Sequence, residues 1–90
     1  MLNKIVGFKA TGPHRLAVTF SDGASGEHDF QHVLHDGGPA AEPLRNPDYF
    51  KKVFLELGAL TWPNGYDMCP DWLRMEMDKA GEIRKPVAAE

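Results

Sequence analysis

The segment from His28 to Asp36, His-Asp-Phe-Gln-His-Val-Leu-His-Asp, carries three imidazoles and two carboxylates within nine positions. On one continuous helix His28, His32 and His35 would share a face, and imidazoles at that spacing are ligands for zinc or a similar transition metal. The residues before Phe30 oppose this arrangement. They read as the end of a strand, which places His28 on a different element and leaves only His32 and His35 as helical neighbours. The competing reading is three solvated histidines. A small metal-binding or enzymatic domain built on this region is the alternative function that the sequence offers.

Other reactive residues are less well placed. Ser21, Ser25 and Cys69 lack a neighbouring base that spacing would supply, so none reads as an activated nucleophile. Cys69 stands where a helix begins, a position that lowers a thiol pKa; the plainer reading is a small buried residue at a cap. Asp67 and Asp71 would suit an acid pair, but an aspartate in a first helical turn first serves to oppose the helix dipole. Asp36-Gly-Gly-Pro39 has neither the lysine nor the strand–helix context of a phosphate loop. No catalytic residue, cofactor or metal is therefore assigned, and the chain is read as non-enzymatic.

Residues 60–73, LTWPNGYDMCPDWL, concentrate the large rings and the turn chemistry. Pro63-Asn64-Gly65 is a turn, and Pro70 suits the first position of a helix. Trp62 and Trp72 are expected to be core residues that clamp this helix onto a sheet, because a 90-residue chain has a thin core. The alternative is a partner-binding surface of Trp62, Asn64, Tyr66 and Asp67, since tryptophan and tyrosine are favoured interface anchors.

The elements that must position these residues follow from periodicity. Residues 2–10 read as a strand, closed by Gly12-Pro13. Residues 15–21 alternate cleanly, with Leu16, Val18 and Phe20 on one face, and Asp22-Gly23 turns the chain into a polar returning strand, 24–30. Gln31 opens a short helical turn, 36–42 is expected to be a mobile loop, and Asn46-Pro47 caps a second turn over 47–51. Residues 50–62 read as two strands joined at 57–59. The helix from Pro70 carries Leu73, Met77 and Ala80 on its inner face, with Met68 stapled to Leu73, and stops at Gly81. The fold class is α+β: a small, mainly antiparallel sheet of about five strands, a short middle helical segment and a C-terminal helix packed on it. A single domain is expected over 1–81, with 82–90 a flexible tail.

Composition limits the function classes. The chain is 42% hydrophobic and 26% charged, which suits a globular domain and not a disordered one. A net charge of −3 gives no general attraction to phosphate backbones. Nucleic-acid binding would need a basic stripe from Lys51, Lys52, Arg74 and Lys79, and their spacing does not promise one. One cysteine excludes an intramolecular disulfide. The N-terminal stretch has no sustained apolar run of signal-peptide type, so a cytoplasmic setting without membrane attachment is expected.

Trp62-Pro-Asn-Gly-x-Asp-x-x-Pro-Asp-x-Leu73, preceded by Pro43-Leu-Arg-Asn-Pro-x-Tyr-Phe50 and Val18-x-Phe-x-Asp-Gly23, resembles the bacterial domain of unknown function 2442 over about residues 4–75. The resemblance implies the same small α+β fold. It implies no activity and no catalytic residue. Members occur alone or fused to a helix-turn-helix domain, and some, lying beside a small partner gene, are proposed antitoxins. No helix-turn-helix segment follows residue 81 here, so a DNA-binding role is not carried over. Together these features favour a protein-interaction module, with a small protein or a second copy of the chain as partner. Strand 24–30 offers an edge for that partner to extend.

Cys69 departs from the hydroxyl expected at this helix start and is a poor hydrogen-bond acceptor. Replacing a good cap by a poor one costs about 1 kcal/mol. Cys69→Ser is expected to raise the melting temperature; an unchanged or lower value in a thermal melt would count against a helix beginning at Pro70.

Overall fold

The computed structural model describes residues 3–85. Strands β1 (Ile5–Gly12), β2 (Arg15–Phe20) and β3 (Ser25–Asp29) form an antiparallel meander in the order β1-β2-β3. β2 follows its alternation: Leu16, Val18 and Phe20 are buried, while Arg15, Ala17 and Thr19 are not. Asp22 organises the β2–β3 turn by accepting from the Ala24 N–H, and Gly23 supplies the positive φ of 92°. β1 begins and ends later than the 2–10 expected. Its register shifts twice, between Ile5 and Gly7 and between Ala10 and Gly12. Such bulges bend and twist an edge strand, and they leave Val6 and Phe8 exposed.

The middle segment is more ordered than its prolines suggest. α1 (Gln31–Asp36) is followed by a 3-10 helix, Pro39–Arg45, and then by α2 (Pro47–Phe50). The mobile loop expected at 36–42 is thus a helical turn over much of its length. Ala41 and Leu44, three apart, share one side of the 3-10 helix and are both fully buried. Arg45 locks the segment back onto α1, its Nε and Nη2 donating to the Leu34 and His35 carbonyls at 3.1 and 3.0 Å. Asn46 caps α2 as expected, its side chain accepting from Asp48 N–H.

A second three-stranded antiparallel sheet comprises β4 (Phe54–Glu56), β5 (Ala59–Thr61) and β6 (Asp67–Met68). The described residues therefore hold six strands in two sheets, not about five in one. β6 is only two residues long, too short for any periodicity to reveal. The β4–β5 turn falls at Leu57-Gly58, inside the expected junction. α3 (Pro70–Lys79) buries Leu73 and Met77, and Met68 joins them in the core. Ala80 is exposed at the C-cap, where the chain has already left the inward face. Trp72 is half-buried beside the core and not within it. Cys69 at the N-cap makes no side-chain capping bond and is exposed, against the buried position expected for it.

Long-range polar ties fasten α3 to the first sheet. The Arg74 guanidinium meets both carboxylate oxygens of Asp22, at 3.3 and 3.2 Å, and reaches Asn3, lying 5.1 Å from the Phe20 ring centre. Asp71 Oδ1 accepts from both the backbone and the side-chain N–H of Asn3. The chain after Gly81 corrects a further expectation. Residues 82–85, assigned to a flexible tail, run beside β3: Ser25 and Arg84 exchange backbone hydrogen bonds of 2.8 and 2.7 Å, and Ile83 packs on the core. A side chain at Gly26 would collide with the Glu82 carbonyl, which explains the glycine there. Residues 86–90 of that expected tail lie outside the described residues.

The Arg74 hydrogen bonds hold the Asp22 carboxyl below its ordinary value of 3.8. A carboxyl depressed by folding adds stability above its unfolded pKa and loses it as pH falls through the folded one. The stability gap between the wild type and Asp22→Asn, followed by urea unfolding, is expected to be present at pH 7 and to close as the pH drops below the carboxylate range. A gap independent of pH would show that the ion pair contributes nothing.

Candidate interaction surface

The expected partner-binding residues around the Trp62 turn do not form one surface. Trp62 is fully buried, and its indole N–H donates to the Phe50 carbonyl at 2.9 Å. Its ring lies 5.4 Å from Phe50 and 6.0 Å from Tyr66, so it holds the middle helical segment, and it cannot anchor a partner. Leu60 and Thr61 of the short β5 are buried as well, and Trp62 directly after the strand continues into the same packing. Asn64 is exposed, yet both ends of its amide are committed, to the Ala40 carbonyl at 3.0 Å and to Tyr66 N–H at 3.2 Å. Tyr66 is half-buried, and that burial, then the nearby Asp67 carboxylate, raises its hydroxyl pKa. Asp67 is exposed.

The histidines are distributed differently from a metal centre. His28 lies on β3 and His32 and His35 on α1, as the strand reading implies, yet the sheet–helix junction brings the His28 and His32 rings to 5.4 Å. His28 is buried, and its Nδ1–H donates to Glu82 at 2.7 Å, a partner 54 residues away; its Nε2 has no partner. Among the described residues no three His, Cys, Asp or Glu side chains are grouped to hold a metal ion. His14, unremarkable in the sequence, is buried: its Nε2–H donates to the Arg45 carbonyl and its ring stands edge-on to Phe50. A cleft of about 630 Å³ opens here, lined by His14, Asp29, His32, His35, Asp36 and Arg45. Asp71 Oδ1 accepts both N–H groups of Asn3, a tie between the start of the chain and α3.

The surface that stands out lies where the two sheets meet. The Ile5 N–H donates to the Gly58 carbonyl at 2.8 Å, binding β1 to the tip of the β4–β5 hairpin. Four apolar side chains are exposed on these elements: Val6 at 59%, Phe54 at 42%, Leu57 at 92% and, further along β1, Phe8 at 36%. Leu57 is also the one non-glycine among the described residues with positive φ, at 53°, followed by Gly58 at 82°. Paired positive φ angles make a two-residue hairpin turn, for which Asn, Asp or Gly is the favoured occupant. A leucine in that conformation costs about 1–2 kcal/mol. Strain and solvent exposure thus coincide on one hydrophobic residue. The sequence clue was Glu-Leu-Gly-Ala at a strand junction, with leucine where a turn residue belongs.

The family model for proteins of unknown function DUF2442 matches residues 5–77, from the start of β1 into α3. The chain belongs to that family. No curated protein and no solved structure matches it. No helix among the described residues is long and apolar enough to cross a membrane.

Trp62→Phe keeps the ring but removes the donor to Phe50, leaving a buried carbonyl unpaired. The expected loss is about 1–3 kcal/mol in urea unfolding; a loss near zero would mean that the indole only fills space.

Proposed function

We propose that this domain is a non-catalytic protein-interaction module, antitoxin-like in pairing with a small protein, whether a neighbouring gene's product or a second copy of itself. The observation that carries the reading is the exposed apolar set Val6, Phe54 and Leu57 at the junction of the sheets. The core is complete without these residues, and Leu57 stands there despite backbone strain. The charged side chains with close partners support the same reading, because their partners are structural: Asp22 with Arg74, Asp71 with Asn3, Arg15 with Glu27. The edge expected to receive a partner, β3, is covered at Ser25 by Arg84, which moves the proposed surface to the opposite side of the first sheet.

A second reading, a small metal-binding or enzymatic domain at His28, His32 and His35, is favoured by the unpartnered His28 Nε2 and the adjoining cleft. It calls for a zinc-dependent rise in melting temperature that His32→Ala abolishes.

The interaction reading is tested by placing a photo-crosslinking amino acid at Phe54 in the chain expressed in its own cells. Illumination is expected to yield a discrete adduct heavier than the chain, and the same probe at exposed Gln31, on the far side of the first sheet, is expected to yield none. Equal labelling from both positions, or none from either, would overturn it.

A further inference from the structure

The residues beside Leu57 identify its occupant. A Cβ at Gly58 would meet Lys4 Cβ and Cγ at 2.8 and 2.9 Å, so the lysine stem lies against the hairpin tip. On the other flank Glu56 precedes Leu57 and, by strand alternation, shares its face of β4 with Phe54. Lys4 and Glu56 are both exposed, and neither joins an ion pair among the described residues. The tip therefore presents an apolar knob with an unpaired lysine packed against Gly58, which follows it, and an unpaired glutamate at Glu56, which precedes it. Such a patch is complementary to itself: rotation about a two-fold axis through Leu57 lays Lys4 of one copy against Glu56 of the next while the two knobs bury each other. A purely acidic or purely basic partner would match one flank and be opposed by the other.

We propose that the Leu57–Gly58 hairpin tip is a homodimer contact, with Leu57, Val6 and Phe54 at its centre and two symmetric Lys4–Glu56 pairs at its rim. This rests on the interaction reading above and names the partner as a second copy of the chain. The strained leucine is then retained for its contact, since asparagine would fit the turn better.

Sedimentation velocity over a concentration series, in reducing buffer because Cys69 is exposed, decides the matter. The wild type is expected to pass from monomer to dimer. Leu57→Asn is expected to remain monomeric while melting at a higher temperature, a combination that damage to the fold would not produce. Lys4→Glu and Glu56→Lys are each expected to weaken the dimer by roughly tenfold through two symmetric rim contacts. Combining them reverses both ends of each pair and is expected to restore it. A wild type that stays monomeric at every concentration, a dimer indifferent to Leu57→Asn, or a double charge swap that fails to restore association would each overturn the proposal. If the wild type is monomeric but the Phe54 probe traps a different protein in cells, the self-association falls and the interaction reading stands. If it is monomeric and the probe traps nothing, both fall.

Discussion

The hydrogen bond from the Trp62 indole to the Phe50 carbonyl joins the two halves of the molecule. Phe50 ends α2, and its ring lies 5.7 Å from Phe30 and 5.4 Å from Trp62, so it is the centre of an aromatic row linking the end of β3 to the end of β5. A chain this short buries a smaller fraction of its surface than a larger domain does, so its two small sheets depend on a shared core. The row supplies that core, and the indole–carbonyl bond removes the cost of burying a polar atom at each end. The two three-stranded sheets are held mainly through this shared core, with the Ile5–Gly58 bond as a direct backbone link between them.

Around that core the charged residues serve as struts over long sequence distances. Asp22 and Arg74 join the β2–β3 turn to α3; Asn3 and Asp71 join the start of the chain to the same helix; Glu82 reaches back to His28. These ties close the fold and occupy side chains that would otherwise be candidates for chemistry. Freed of such duties are the residues at the junction of the sheets, where hydrophobic side chains and two unpaired charges face solvent. An interface is cheaply built at such a place, because changing those side chains leaves the core untouched.

Much of the architecture was legible in the chain. Alternation identified β2, Asp22-Gly23 marked its hairpin, Asn46-Pro47 marked the start of α2, and Pro70 marked α3; each is a signal carried by neighbouring residues. The elements that were not legible share a physical cause: their partners are distant in the chain. The first half of the 3-10 helix, residues 39–42 of the expected loop 36–42, is not legible in the chain because its stability comes from Ala41 and Leu44 entering a distant core and from Arg45 reaching α1. The placement of residues 82–85 is not legible in the chain because the backbone partner of Arg84, Ser25, lies far away in sequence. For the candidate surface the sequence marked the Trp62 turn by its aromatic content. Leu57 passed unnoticed, although its place in a two-residue turn was within reach.

The sequence by itself determined the fold class, the order of most elements and the family, because periodicity, turn chemistry and motif spacing are local properties. Tertiary structure alone decided which hydrophobic residues reach solvent and which histidine meets which carboxylate. Trp62 and Leu57 are both apolar residues beside a hairpin or turn, yet one is fully buried and the other 92% exposed. The difference is set by what packs above each residue, and a residue's own neighbours in the chain do not encode that.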